Sequence, residues 1–163
     1  IIGAVNGVAI TGGFEVALAC DVLIASANAR FADTHARVGI LPGWGLSQKL
    51  ARAIGVMRAK ELSLTGNFLD AATAAAWGLV NRVVAPDELM PTALKLAADM
   101  ASIPAETLAA YKALIDDGYA LSGREARRLE AERTSMLNAA VKPEEIEARR
   151  AAIQSRGRAQ ETH

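Results

Sequence analysis

The chain has 163 residues, of which 52% are hydrophobic, and its 18 lysines and arginines balance its 18 aspartates and glutamates. This length favours a single domain with a real core, and the composition excludes a disordered chain. The neutral charge gives no indication of a nucleic-acid partner. The lone cysteine, Cys20, excludes an internal disulfide and favours a reducing compartment, so we expect a cytoplasmic protein. No unbroken apolar run reaches the roughly 18 residues of a membrane helix.

The first predicted elements are strands around a short helix. Ile1–Asn6 has the character of a strand, and Gly12 and Gly13 open an apolar helix that ends near Cys20. Residues 21–25 form a β-branched run that is typical of a strand buried on both faces. The order of strand, glycine turn, helix and strand predicts an α/β interior. Because the chain starts inside a strand without a methionine, we expect it to be the C-terminal portion of a longer protein.

A loop punctuated by glycines comes next, and helices follow it. Residues 31–45 contain three glycines and a proline, and loops of this length in compact domains often carry function. Beyond the loop we predict a helix at 46–54 and another at 56–64, each of which stops at a glycine. A third helix, which Asp70 caps, runs through Trp77, and a short strand covers 80–84.

From Pro86 onward the predicted elements are all helical. Apolar residues recur at helical spacing after Pro86, and further helices begin near Pro104, Ser122 and Pro143. Ser122 and Glu125 have the spacing of a capping box. The sequence therefore divides into an α/β part, residues 1–85, and a helical part, residues 86–163.

The stretch AVNGVAITGGFEVALACD, residues 4–21, places two glycines and a carboxylate inside an apolar run. It lacks the lysine of a P-loop and the glycine spacing of a dinucleotide fingerprint. A glycine-opened helix end can instead present free N–H groups to an oxygen that becomes negative, with Glu15 within the same turn. Alternatively, Glu15 is a first-turn residue favoured by the helix dipole, and Gly12 and Gly13 serve close packing.

Four segments in one order resemble the enoyl-CoA hydratase/isomerase (crotonase) superfamily: residues 4–21, ILPGWG at 40–45, LSLTG at 62–66 and AAAWGLVNRVV at 74–84. The resemblance implies an α/β fold in which a spiral of ββα turns precedes C-terminal helices. Residues 1–85 would form the C-terminal part of that spiral, and residues 86–163 a helical region that mediates trimerisation. It also implies an acyl-CoA substrate, a homo-oligomer (a trimer or a dimer of trimers), and no metal or cofactor other than the coenzyme A of the substrate.

The resemblance also assigns roles to individual residues. Gly12 would donate one of the two main-chain N–H groups that hold the thioester oxygen, and Glu15 matches the first of the two catalytic glutamates. The second N–H donor and much of the coenzyme A contact would come from residues upstream of Ile1, so the isolated chain is not expected to complete the pocket. Residues expected to contact the substrate are Gly13, Leu41, Pro42 and Trp44.

The sequence departs from the family pattern at His35, which stands where the hydratases commonly have their second glutamate. His35 could be the second acid/base, a polar pocket residue beside a single proton shuttle at Glu15, or a loop histidine without a chemical task. Asp33 is a nearby substitute, because a residue two positions away in extended chain points to the same side.

Three further residues have open roles. Trp44 either forms a wall of the acyl pocket or belongs to the ordinary core. Arg156 and Arg158 either approach the phosphates of coenzyme A or lie in a solvated tail. The reaction that the resemblance implies is hydration of a 2-enoyl-CoA through an enolate. The alternatives are an enoyl-CoA isomerase or another enolate-forming reaction, and a catalytically silent homologue that binds acyl-CoA or a protein.

Overall fold

The computed structural model describes residues 1–139 and 143–160 of the chain, which form two compact units, Ile1–Ser102 and Ile103–His163. In chain order the first unit contains β1 (Ile2–Val5), β2 (Val8–Ile10), α1 (Gly12–Leu18), β3 (Val22–Ser26), β4 (Arg30–Ala32), α2 (Leu46–Ile54), α3 (Val56–Thr65), β5 (Leu69–Asp70), α4 (Ala71–Ala76), β6 (Arg82–Val84) and α5 (Leu89–Ala101). The second unit contains α6 (Ala105–Tyr119), α7 (Gly123–Asn138) and α8 (Pro143–Gln160).

The strands of the first unit form two three-stranded sheets. One sheet is entirely parallel, in the order β1-β3-β6, and the other has the order β2-β4-β5 with β4 and β5 antiparallel. Each of the two consecutive strand pairs, β1 and β2, then β3 and β4, adds one strand to each sheet. This is the ββα repeat that the family resemblance implied, and it confirms the predicted fold class.

Strand β2 lies where the sequence predicted a simple strand–helix–strand unit. Val8–Ile10 alternates exposed, buried and exposed side chains, but three residues are too few for a period to be recognised. Pairing with β4 is what makes the segment a strand, with Val8 opposite Arg30 and Ile10 opposite Ala32. The strand order of the sheets therefore could not be read from local patterns.

Aromatic and branched side chains fill the core of the first unit. The Phe14 and Phe31 rings are completely buried, with their centroids 5.4 Å apart, and bring α1 against β4. Leu46 and Leu50, one turn apart on α2, are equally buried. Burial of each such side chain is worth about 1.5–3 kcal/mol, so α1 is held firmly at the position where its first turn meets the loop after β4.

A second, smaller cluster attaches α5 to the parallel sheet. Leu89 and Ala93 of α5 pack against Ile24 of β3. The first unit consequently includes α5 and ends at Ser102, whereas the sequence changes character near residues 85–86. A trimerisation role for residues 86–163 stays a prediction.

Local signals predicted the helix ends well. Helices α2 and α3 occupy almost the predicted ranges, and Gly66 ends α3 in the left-handed conformation. Asp70 caps α4 by accepting a 2.7 Å hydrogen bond from the Thr73 N–H. Ser122 and Glu125 form the predicted capping box at the start of α7. Within the described residues, no helix combines the length and the apolar character needed to cross a membrane.

Candidate active site

The carboxylate of Glu15 is buried in the first turn of α1. Its side chain is 4% exposed, and its Oε1 accepts a 2.7 Å hydrogen bond from the main-chain N–H of Trp44. A first-turn glutamate that served only the helix dipole would lie at the surface, where its carboxylate stays hydrated and pays no desolvation penalty. The hydrogen bond fixes one carboxylate oxygen and leaves Oε2 for another partner.

The glycines before Glu15 are not required by packing. A Cβ on Gly12 would meet only the Trp44 ring, at an ordinary 3.6 Å, and a Cβ on Gly13 would meet no atom within 4 Å. Close packing therefore does not explain this pair of glycines. The space beside Gly13 is open to an incoming group, and the Trp44 ring borders the space beside Gly12.

The residue before these glycines holds the end of α1 in an unusual conformation. Thr11 has φ 52° and ψ −110°, a combination that costs a residue other than glycine about 1–3 kcal/mol. Its N–H donates to the Ala32 carbonyl over 3.0 Å, and its hydroxyl hydrogen-bonds the hydroxyl of Thr34. The first hydrogen bond within α1 is the one from the Glu15 N–H to the Thr11 carbonyl, so the N–H groups of the three residues between them have no acceptor inside the helix.

His35 lies next to Glu15 and is buried as deeply. Its side chain is 6% exposed, and its Nε2 lies 3.7 Å from Glu15 Oε2. On the other side of the ring, Nδ1 lies 2.7 Å from Asp33 Oδ1. The three side chains thus form a row, with the imidazole between two carboxylates. A loop histidine without a chemical task would not be enclosed in this way, so that interpretation of His35 is disfavoured.

This row of groups can transfer protons. The distance of 3.7 Å is too long for a direct hydrogen bond, yet one small molecule can hydrogen-bond both Nε2 and Oε2 at once. Among the described residues, no fully buried side-chain nitrogen or oxygen lacks a hydrogen-bond partner. No group of three His, Cys, Asp or Glu side chains in the described part of the chain could hold a metal ion.

The loop before α2 supplies the remaining predicted residues. Leu41 is 88% exposed, Pro42 is half-buried and Trp44 is 71% exposed, with its ring over Gly12. Assignment of Trp44 to the ordinary core is therefore wrong, because the loop carries the ring outward while Leu46 takes the buried position at the start of α2. The loop places an apolar surface beside the α1 tip.

Two contacts of the site depend on backbone geometry that the sequence did not predict. The N–H of Trp44 reaches Glu15 only because α1 and the loop before α2 meet in space. Asp33 and His35 come together through a turn, with the His35 N–H donating to Asp33 Oδ1 over 3.2 Å, and not through extended chain, since His35 has helical backbone angles. Asp33 is consequently a hydrogen-bond partner of His35.

Arg156 and Arg158 lie in α8 of the second unit. Their contact with the phosphates of coenzyme A stays a prediction.

Comparison with known proteins identifies the relatives of this chain. The family model described as Enoyl-CoA hydratase/isomerase matches residues 1–154. The Arabidopsis thaliana protein named "Probable enoyl-CoA hydratase 1, peroxisomal" is 45% identical over 157 residues, which are 96% of this chain and 59% of that protein. The curated relatives are longer than this chain, which spans about half to three fifths of the first three.

Solved structures give the same result for the fold. An enoyl-CoA hydratase subunit from Geobacillus kaustophilus superposes with a TM-score of 0.84 at 35% identity, over 94% of this chain and 59% of that one. A Thermobifida fusca structure in complex with acetoacetyl-CoA has a TM-score of 0.78 at 34% identity, over 83% of this chain and 53% of that one. At 35% and 34% sequence identity, both structures are similar to this chain in sequence as well as in fold.

Proposed function

The chain belongs to the enoyl-CoA hydratase/isomerase family, and on this basis we propose that it takes part in the hydration of 2-enoyl-CoA thioesters. The observation that carries the proposal is the buried pair of Glu15 and His35 at the open, glycine-lined start of α1. The acetoacetyl-CoA bound in the Thermobifida fusca relative supports a CoA thioester as the ligand. The enoyl-CoA hydratase names of the relatives support the reaction.

Hydration requires a place for negative charge. When the oxygen of water bonds to the β-carbon, the π electrons move onto the thioester oxygen and create an enolate. In the proposal, the N–H of Gly12 at the positive end of α1 donates to that oxygen. The open space at Gly12 and Gly13 admits the thioester, and the apolar surface of Leu41, Pro42 and Trp44 contacts the acyl part.

Hydration also requires two proton transfers, and the proposal assigns them to Glu15 and His35. One of the two groups takes a proton from water as the C–O bond forms. The other delivers a proton to the α-carbon as the enolate electrons return. The proton then passes from the first group to the second across the 3.7 Å gap, so the pair ends each cycle as it began.

The central experiment measures loss of the absorbance of crotonyl-CoA by the purified protein in its natural full chain. Glu15→Gln keeps the hydrogen bond from the Trp44 N–H but cannot exchange a proton, so turnover should fall by about 10²-fold or more. Glu61→Gln, at an exposed position on α3, is the matched control and should keep full turnover. Full turnover of Glu15→Gln would remove Glu15 from the mechanism.

Two other results would redirect the proposal. Conversion of a 3-enoyl-CoA to its 2-enoyl isomer without hydration would replace the lyase with an isomerase. Binding of acyl-CoA without either reaction would indicate a silent homologue. Turnover that persists after exhaustive chelation and dialysis is expected, because we propose no metal and no cofactor beyond the coenzyme A of the substrate.

We also propose that the protein assembles as a homo-oligomer, a trimer or a dimer of trimers, through its helical part. Helices α6 and α7 contain no buried side chain, and they expose the apolar residues Tyr111, Ile115, Tyr119, Met136 and Leu137. Light scattering across a dilution series tests the assembly, and a strictly monomeric species at all concentrations would refute it. A cytoplasmic location, supported by the single cysteine, is part of the same proposal and is tested by cell fractionation.

A further inference from the structure

Asp33 makes two hydrogen bonds with the same neighbour, through one carboxylate oxygen. Its Oδ1 lies 2.7 Å from Nδ1 of the His35 ring and accepts the His35 main-chain N–H over 3.2 Å. The Asp33 side chain is 3% exposed, so both contacts lie in the interior of the first unit. The main-chain bond closes a turn that fixes the carboxylate, and the fixed carboxylate in turn orients the ring.

An ionised carboxylate only accepts hydrogen bonds, and this decides the protonation of the ring nitrogen that it faces. Opposite an ionised Asp33, Nδ1 is the donor of the 2.7 Å contact with Oδ1 and carries a hydrogen. A neutral imidazole has one N–H, so its other nitrogen, Nε2, then has a free lone pair. Nε2 is the nitrogen on the Glu15 side, 3.7 Å from Oε2.

We propose that Asp33 is a positioning residue, which holds His35 in the tautomer with hydrogen on Nδ1 so that Nε2 is the atom that exchanges protons beside Glu15. This inference rests on the proposed function, because it gives Nε2 a task in hydration. It also goes beyond that function, since the two-glutamate arrangement of the hydratases has no tautomer to select. Asp33 does not touch the substrate, because the imidazole lies between it and the place where Nε2 and Glu15 meet.

The row of three groups also stabilises the charge that the reaction creates. When Nε2 holds a proton, the imidazolium lies between the carboxylates of Asp33 and Glu15 and pairs with both in a buried environment. A buried cation without such partners would carry a large desolvation cost. The Asp33 carboxylate therefore serves both states of the ring: it selects the neutral tautomer and it pairs with the charged form.

The first test replaces the carboxylate by an amide of the same shape. Asp33→Asn removes the negative charge that pairs with the imidazolium, and where its amide NH₂ faces Nδ1 it donates to that nitrogen, so the wrong tautomer becomes populated. We expect kcat to fall by about 10²-fold or more with little change in KM and in melting temperature, as an Asp→Asn change behind a catalytic histidine does in serine proteases. Asp87→Asn, at an exposed turn position, is the control and should retain wild-type kcat. Wild-type kcat in Asp33→Asn would overturn the inference.

A spectroscopic test is independent of turnover. The chain has 2 histidines, so the ¹⁵N signals of the His35 ring can be assigned by their loss in His35→Ala. We expect hydrogen on Nδ1 in the wild type and a substantial population with hydrogen on Nε2 in Asp33→Asn. Hydrogen on Nε2 of the neutral ring in the wild type would overturn the inference even in a fully active enzyme. A wild type that holds hydrogen on Nδ1 but does not hydrate would contradict the proposed function alone.

A double-mutant cycle separates positioning from a general structural role. If Asp33 acts only through the imidazole, adding Asp33→Asn to His35→Ala should leave the residual kcat unchanged. If Asp33 contributes to the active site on its own, the two losses will multiply, which would contradict the inference.

Discussion

The two units of the molecule place their apolar side chains in opposite ways. In the first unit, Phe14, Phe31, Leu46 and Leu50 are completely enclosed, whereas α6 and α7 of the second unit have no buried side chain. The second unit instead has a capping box at the start of α7 and an ion pair between Arg133 of α7 and Asp117 of α6. The difference explains why the groups to which we assign proton transfer belong to the first unit: buried polar groups must be held by rigid surroundings, which a dense core supplies.

The strongest test of this comparison removes a large core side chain. Phe31→Ala should lower the free energy of unfolding by about 3–5 kcal/mol, because it deletes the ring that packs against Phe14. Tyr111→Ala, in the second unit, removes a ring that is 65% exposed and should cost less than about 1 kcal/mol in dilute protein. Urea unfolding measures both, and equal losses would abolish the distinction between the units.

A smaller effect is expected from adding volume to the first unit. A Cβ on Gly3 would lie 2.6 Å from Leu23 Cδ2 and 3.1 Å from Cys20 Sγ, so Gly3→Ala should cost about 1–3 kcal/mol. Gly7, where a Cβ would meet no atom within 4 Å, provides the control, and Gly7→Ala should change stability by no more than about 0.5 kcal/mol. Thermal unfolding compares the stabilities of Gly3→Ala and Gly7→Ala. Wild-type stability of Gly3→Ala would show that the core is packed more loosely than its burial indicates.

The strained backbone at Thr11 gives a third, still smaller effect. Both Thr11→Gly and Thr11→Ala lose the hydroxyl bond to Thr34, but only glycine relieves the strain at φ 52°. After the greater unfolded-state entropy of glycine is subtracted, Thr11→Gly should remain more stable than Thr11→Ala by about 1 kcal/mol. Denaturant midpoints measure which of the two variants is more stable. A more stable Thr11→Ala would contradict the proposal that the backbone at Thr11 is strained.

The smallest effect concerns capping, where the two units behave alike. Hydrogen bonds from the Ser122 side chain and main chain lower the pKa of Glu125 below its ordinary 4.5, and those from Thr73 lower the pKa of Asp70 below 3.8. Because each pKa is lower in the folded protein, each cap stabilises fully above the ordinary value and is lost as pH falls through the folded value. Amide NMR during acid titration should show the N-terminal residues of α7 and α4 losing their capping hydrogen bonds as Glu125 and Asp70 become protonated. Ser122→Ala should abolish this pH-dependent change in α7 only.

Features set by residues close together in the sequence could be predicted, whereas features set by residues far apart in the sequence could not. Helix ends such as the Asp70 cap and the Ser122–Glu125 box depend on neighbours a few residues away, so they could be predicted. Strand β5, with two residues, exists only through its pairing with β4. At the site, the nearness of Gly12 and Glu15 follows from one helical turn, whereas the contact of Glu15 with His35 depends on how α1 packs against the loop after β4.

The position of the indole over Gly12 makes the molecule its own optical reporter. The chain has 2 tryptophans, and Trp77 is half-buried with the Arg58 guanidinium 5.3 Å from its ring centre, so its emission should stay constant. Trp44 emits from a solvent-facing surface that an arriving thioester would cover. A blue shift on addition of ligand would therefore report occupancy in real time, without a label and without turnover.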